Sequence, residues 1–179
     1  MKIILPDGNI KEMPEGSSAM DLAKSISARL AQSALAARVN GSLVDLNKEL
    51  KDNDNVAIIT FDDPEGKSVF WHSTSHLLAQ AVQQLFPSAK IAIGPAIESG
   101  FYYDFDNISL KNEDFEAIEK EMQKIASEKL VFERSVLTKN EALEAFKDEP
   151  YKIELITDLA DTETITCYKI GEFTDLCRG

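Results

Sequence analysis

Two histidines and one cysteine frame the chemistry open to this chain. His72 and His76 stand four residues apart in "WHSTSH" and are its only histidines. On a helix that spacing sends both imidazoles the same way. A pair so placed can serve one metal ion or one reacting group. It can equally be two surface histidines at a helix start. Cys177, in "EFTDLCRG", adds a third donor if the fold brings it close. Two His and one Cys could hold zinc and leave a fourth position to water, the donor set of a hydrolytic centre. The alternative is an inert thiol near a strand end. Cys167, in the alternating run "TITCYK", reads as sheet packing.

Other groups depend on where they face. Tyr102, Tyr103 and Asp104 follow Gly100 in "SGFYYDF". They are either aromatic packing at a strand end or a pocket wall with polar tips. Lys152, in "EPYKIEL", is an ordinary solvated lysine unless it faces a cleft. There its ammonium could hold an anion or polarise an ester. The chain has no glycine-rich phosphate loop, no serine nucleophile elbow and no dinucleotide fingerprint.

The elements that must position these residues show in the hydrophobic pattern. From about 69 to 86 the period is helical, with Leu77, Leu78, Ala81, Val82, Leu85 and Phe86 on one side. That wheel puts His72 and His76 off the apolar stripe, beside Gln80 and Gln83, where they could line a cleft. Pro87 ends the helix. "KIAIGPAIESGFYYDFD" predicts two short strands. A second amphipathic helix is predicted over roughly 112–129. "LVFERSVL" alternates as a strand. Thr138 to Glu141 is a capping-box pattern opening a short helix. Pro150 closes that region, "YKIELI" fits strand or helix, and "ETITCYKIGEF" predicts a strand and a turn.

The first sixty residues have a different rhythm. "KIIL" and "NIKEM" flank Asp7-Gly8, a tight-hairpin signal. "EGSSAMDLAKSISARL" has helical spacing, with Ser17 or Ser18 as N-cap. Asn40-Gly41 marks a second hairpin, and "NVAIIT" is a closing strand. This order predicts a small mixed sheet with one helix packed on it. The polar, turn-rich "FDDPEGKS" reads as a linker. The expected organisation is two α+β domains, 1–62 and 63–179, with about two main helices over a mostly antiparallel sheet in the second.

Composition narrows the function classes. A net charge of −12 excludes a broad basic surface that coats nucleic acid, though not a small pocket around one RNA end. No apolar run reaches the ~20 residues needed to span a bilayer, and the first residues lack the form of a signal peptide. Two cysteines make no disulfide framework. The expectation is a cytoplasmic protein with reduced thiols and no membrane contact.

Read together, these segments resemble a known family. "MKIILPDGNIKEMPEGSSAMDLAKSI" through "NDNVAIIT" resembles a TGS domain, the ubiquitin-like β-grasp unit at the start of threonyl-tRNA synthetases. "WHSTSHLLAQAVQQLFP", "IAIGPAIESGFYYDFD", "EPYKIELI" and "FTDLCRG" follow in the order and spacing of that family's editing domain. The resemblance covers the whole chain. In the family the cysteine segment continues as CxxxH, whose histidine would stand at position 181, past the last residue. The chain therefore reads as an N-terminal piece of a bacterial enzyme of this family, without its catalytic and anticodon-binding domains.

The resemblance implies a proofreading hydrolase. Serine lacks one methyl of threonine, and one methyl gives only about 1–3 kcal/mol of discrimination. A second pocket that admits serine can hydrolyse mischarged Ser-tRNA(Thr). By the resemblance, His72, His76, Lys152, Asp175 and Cys177 line that pocket, with Tyr103 beside the bound aminoacyl adenosine. His72 would act as base or position the water, and Lys152 would steady the oxyanion or ester. Asp175 would hold the substrate amine or orient a histidine, while His76 and Cys177 shape the pocket. The implied partner is the acceptor end of tRNA(Thr), for a parent homodimer and a monomeric fragment. No cofactor and no metal are implied here, because ATP, Mg and Zn belong to the parent's catalytic domain. Two other readings stand beside this one: a zinc-dependent free-standing deacylase of the alanyl-editing type, and a non-catalytic module that binds tRNA or a partner.

Overall fold

Both hairpin signals of the first sixty residues become turns. Strands β1 (Lys2–Ile4) and β2 (Ile10–Glu12) pair antiparallel around Asp7-Gly8. Strands β3 (Ala34–Val39) and β4 (Ser42–Val44) pair across Asn40-Gly41, which take φ of 51° and 89°. Two positive φ values in succession give the turn that matches strand twist, and Asn-Gly adopts them at least cost. The computed structural model describes residues 1–160 and 163–177, and it divides into two units, Met1–Trp71 and His72–Gly179.

In the first unit, β5 (Val56–Thr60) completes an antiparallel sheet of order β4-β3-β5. A parallel bridge between Ile4 and Asn55 ties β1 to it. Helix α1 (Ala19–Ile26) starts at Ser18, whose side chain and that of Asp21 form a capping box. Ile3, Leu22, Ala37, Leu50 and Val56 make the core. This is the predicted mixed sheet with a helix packed on it. The predicted helix does not run unbroken to Leu30. Ser27, at φ −163°, ends α1, and its hydroxyl accepts from Leu30 N to open α2 (Ala28–Ser33).

The stretch read as a linker is partly helix. Helix α3 runs from Pro64 to Leu85. The Asp63 carbonyl accepts from Lys67 N at 3.0 Å, and Pro64 and Glu65 occupy the first turn. A polar residue, then Pro, then Glu is a helix start as much as a turn signal, since Pro at the first helical position lacks only an N–H that would be unpaired anyway.

The second unit contains His72–Leu85 of α3 and more elements than the sequence predicts. Four two-residue strands replace two: β6 (Lys90–Ile91), β7 (Ala96–Ile97), β8 (Gly100–Phe101) and β9 (Phe105–Asp106), paired β6-β9 and β7-β8. Helix α4 (Asn112–Ser127) and strand β10 (Glu133–Leu137) follow. Helix α5 (Lys139–Ala145) carries the predicted Thr138–Glu141 capping box. The ambiguous stretch is helix α6 (Pro150–Asp158), so Pro150 opens an element and does not close one. Strands β11 (Ile165–Ile170) and β12 (Phe173–Cys177) complete an antiparallel sheet of order β10-β11-β12.

Helix α3 is buried on more than its apolar stripe. Leu77, Leu78, Ala81 and Val82 pack with Ile118, Met122 and Ile125 of α4, as the periodicity predicts. Ala79 packs elsewhere, with Ile91, Ile170 and Phe173. That second cluster brings the β11–β12 turn region against α3. Ser75, His76 and Gln80 are consequently buried too, while Leu85 is exposed. Lying off the apolar stripe thus does not leave the histidine pair in solvent: His76 is buried and His72 half-buried. Among the described residues no helix is long and apolar enough to cross a membrane.

Candidate functional site

The site is built where β12 faces α3. Along β12 burial alternates, with Phe173, Asp175 and Cys177 buried and Thr174 exposed. Period-two alternation puts those three side chains on one face. Phe173 packs with Ala79 of α3, so Asp175 and Cys177 face the same helix. His72 and His76 lie one turn apart on that helix.

The contacts form a continuous chain. Cys177 Sγ lies 2.9 Å from His72 Nε2, and His72 Nε2 lies 3.0 Å from His76 Nε2. His76 Nδ1 meets Asp175 Oδ2 at 2.8 Å. Tyr103 OH donates to the same oxygen at 2.6 Å. Lys152 Nζ reaches Asp175 Oδ1 at 2.5 Å and donates to Tyr103 OH at 3.4 Å. The structure thus brings together the six residues that the resemblance assigns to one pocket, His72, His76, Tyr103, Lys152, Asp175 and Cys177, and leaves Tyr102 and Asp104 exposed. His76, Lys152 and Asp175 are between 2% and 4% exposed, too buried for ordinary surface groups. Arg178 and Gly179 of the "FTDLCRG" segment lie outside the described residues.

Neighbouring residues hold the frame. In "FYYD", alternation turns Tyr103 inward and leaves Tyr102 exposed. The Tyr103 ring stacks on Phe105 at 5.0 Å between centroids. A Cβ on Gly94 would lie 2.0 Å from that ring, so only glycine lets it settle there. Ser75 is fully buried and its hydroxyl reaches the carbonyl oxygens of His72 and Gly94, each at 2.8 Å. Ser75 and Gly94 escaped the sequence reading. A serine inside a helix and a glycine before proline carry no chemistry-bearing signal of their own.

Proton positions follow from the partners. The Asp175 carboxylate only accepts, so Nδ1 of His76 carries a hydrogen. A neutral His76 then offers Nε2 as acceptor to an N–H on His72 Nε2. Burial would raise the Asp175 carboxyl, but the His76 hydrogen bond and the Lys152 charge hold it well below the usual carboxylate range. Burial and then the Asp175 carboxylate raise the Tyr103 phenol above its ordinary value, keeping it a donor. Burial, reinforced by the charge His76 can carry, lowers His72 to about 4. His72 is therefore a neutral imidazole throughout the physiological range. Burial pushes the Cys167 thiol up to about 11, which suits the packing role read for it.

His72, His76 and Cys177 also form a potential metal-donor set, with ligand atoms all within 4.8 Å of one another. Tetrahedral zinc would separate two imidazole nitrogens by about 3.3 Å and a nitrogen from a thiolate sulfur by about 3.6 Å. The separations here, 3.0 Å and 2.9 Å, are those of direct hydrogen bonds. Admitting zinc would require His72 to draw away from both His76 and Cys177.

Known proteins give this site a context. Residues 1–60 match the TGS domain family. Along its whole length the chain is 51% identical to the threonine–tRNA ligase of Clostridium botulinum (strain Eklund 17B / Type B) and spans 28% of that protein. It is 52% identical over its whole length to the threonine–tRNA ligase of Desulforamulus reducens, spanning 29% of it. The ligase of Porphyromonas gingivalis is 50% identical, again over all of this chain and 28% of its own length. Over its whole length the chain is similar to a share of these threonine–tRNA ligases, with about half the positions identical. This agrees with the family resemblance of the quoted segments, and residues 1–60 are a TGS domain with its ubiquitin-like fold. The chain spans between a quarter and a third of the threonine–tRNA ligases it matches.

Proposed function

We propose that this region hydrolyses mischarged Ser-tRNA(Thr) within a threonine–tRNA ligase, the parent attaching threonine to tRNA(Thr) with ATP. The observation that carries the reading is the buried chain Cys177–His72–His76–Asp175–Lys152, closed by Tyr103. Such a concentration of polar groups costs stability unless each is paired, and it recurs where chemistry requires it.

The groups divide the work of ester hydrolysis. Lys152 has three ammonium hydrogens; one faces Asp175 and one faces Tyr103, which leaves one for the ester carbonyl. That hydrogen bond strengthens as the carbonyl becomes an oxyanion. His72 is neutral and can accept a hydrogen from the attacking water at the nitrogen not bonded to His76. With a value near 4 it is a weak base. Its part is to aim the water and to share the proton late in the reaction, not to remove it beforehand. His76, fixed by Asp175, sets the orientation of His72. Of the two roles open to Asp175, this geometry supports orienting the histidine. Residues 1–62 would contribute to holding tRNA beside this editing domain, 63–179.

The test is deacylation of Ser-tRNA(Thr) and Thr-tRNA(Thr), by the 179-residue chain and by a full-length ligase carrying this sequence. Release of serine with threonine spared supports the reading. No release from either substrate in either protein defeats it. The donor set of His72, His76 and Cys177 keeps a zinc-dependent hydrolase as the second reading. Stoichiometric zinc in purified protein, with activity lost on chelation, would establish that one instead. Binding of tRNA without deacylation would leave a non-catalytic module.

A further inference from the structure

Both oxygens of Asp175 are already engaged. Oδ2 accepts from His76 and Tyr103, and Oδ1 faces Lys152 at 2.5 Å. A cation approaching Asp175 would have to displace a buried ammonium.

A second carboxylate close by is in the opposite condition. Glu149 stands at the N-terminus of α6, three residues before Lys152. Its backbone is fixed, with N donating to Phe146 O at 2.9 Å and O accepting from Ile153 N at 3.0 Å. Its side chain makes no capping bond to the helix. Oε2 is shut off from solvent and has no hydrogen-bond partner. Glu149 is the N-cap residue of the same helix that carries Lys152 into the site. An anionic oxygen buried without a donor is costly, and few native structures keep one without a use for it.

We infer that Glu149 Oε2 receives the α-ammonium of the aminoacyl ester. This rests on the ester-hydrolase reading above. The aminoacyl group brings one positive charge, on the carbon next to the ester carbonyl. If the carbonyl oxygen sits on Lys152, the ammonium must fall within a few ångströms of it. Glu149 is the cap residue of the helix that carries Lys152, three positions before it, so the two side chains can hold the two ends of that short unit. The site then recognises esters of free amino acids. N-acylated esters, which carry no ammonium, lose the contact and leave Oε2 buried and unpaired.

The test compares two non-hydrolysable ligands, the seryl amide of 3′-amino-3′-deoxyadenosine and the same amide lacking the α-amino group. Binding is measured by calorimetry on the 179-residue chain and on the full-length ligase. The native protein should prefer the seryl amide by roughly ten- to a hundredfold, the worth of a hydrogen bond between charged groups. Glu149→Gln should abolish that preference and still bind the deaminated amide as the native protein does, which also shows that the site remains folded. A preference that survives Glu149→Gln overturns the assignment. If the native protein binds neither amide and deacylates nothing, the hydrolase reading falls and the assignment with it; hydrolysis of Ser-tRNA(Thr) with the preference intact in the variant removes Glu149 alone.

Discussion

His76 Nδ1 lies 2.8 Å from Asp175 Oδ2, and one helical turn before it His72 Nε2 lies 2.9 Å from Cys177 Sγ. Two successive contacts between a helix and a strand need matching repeats. Four helical residues advance about 6.0 Å, and two strand residues about 6.6–6.8 Å. The i, i+4 histidines and the i, i+2 pair on β12 are therefore nearly commensurate. Because His72 meets the later strand residue, the helix and strand run in opposite senses along the contact. The site is thus one register match between α3 and β12, with Lys152 and Tyr103 closing around the carboxylate.

Asp175→Asn should be the most damaging single change. It removes the charge that balances Lys152, and both groups are almost wholly buried. Breaking a buried pair from one side costs about 3–5 kcal/mol. Urea denaturation of the variant should show that loss, and deacylation should fall with it. Unchanged stability would mean that water reaches Lys152 freely.

Hydrolysis should be insensitive to mild acid. With His72 at about 4, most of it stays neutral at pH 5.5, whereas an ordinary histidine would be mostly protonated. The rate on Ser-tRNA(Thr) should stay level between pH 7 and 5.5, where the substrate's α-amino group is already mostly protonated, once the spontaneous rate is subtracted. An inflection near 6.5 would show His72 titrating normally. Stability carries the same signature with its own sign. Below 6.5 the unfolded chain takes up a proton that folded His72 refuses, so this contribution is lost as pH falls from 6.5 towards about 4.

His72→Ala should slow Ser-tRNA(Thr) deacylation by roughly 10²–10⁴-fold if the imidazole handles the proton of the attacking water. The helical wheel predicts little change in stability. The structure revises that, since the ring is half-buried and contacts both His76 and Cys177. A cost of roughly 0.5–3 kcal/mol is expected from thermal unfolding. Equal rates for variant and native protein would leave the residue as pocket lining.

Gly94→Ala tests the frame and leaves the reacting groups untouched. The new methyl would meet the Tyr103 ring at 2.0 Å, so the ring must shift. Overpacking of this kind costs about 1–3 kcal/mol. The hydroxyl should leave Asp175, and deacylation should drop by roughly tenfold or more, since about 1 Å of misplacement can cost that much. A structure of the variant with Tyr103 still 2.6 Å from Asp175 would refute the steric argument.

Much of this protein is legible in its local sequence. Asn40-Gly41 fixes its turn because few residue pairs accept two positive φ values. Thr138 and Glu141 fix a helix start because both partners lie within one turn. The "WHSTSH" spacing guarantees two imidazoles on one helical face wherever that helix is placed. Where local signals compete, the sequence misleads. Pro64 and Pro150 read as turn or stop residues and instead open helices, because proline is accepted at the first helical turn.

Local spacing shows which groups could do chemistry: two histidines in phase, a cysteine near a strand end and a lysine of undecided orientation. Strand β12, which puts Asp175 and Cys177 on one face, and the roles of all these groups come from tertiary packing. Packing of Ala79 against Phe173 brings β12 onto a face of α3 that the apolar stripe does not mark, and so buries His76. Burial with Asp175 turns Lys152 from a solvated side chain into a held ammonium, and burial beside His76 lowers His72. Desolvation and pairing depend on what stands within a few ångströms, and here, the two histidines apart, the partners are separated by 23 to 105 positions in the chain. No pattern along the chain encodes that distance.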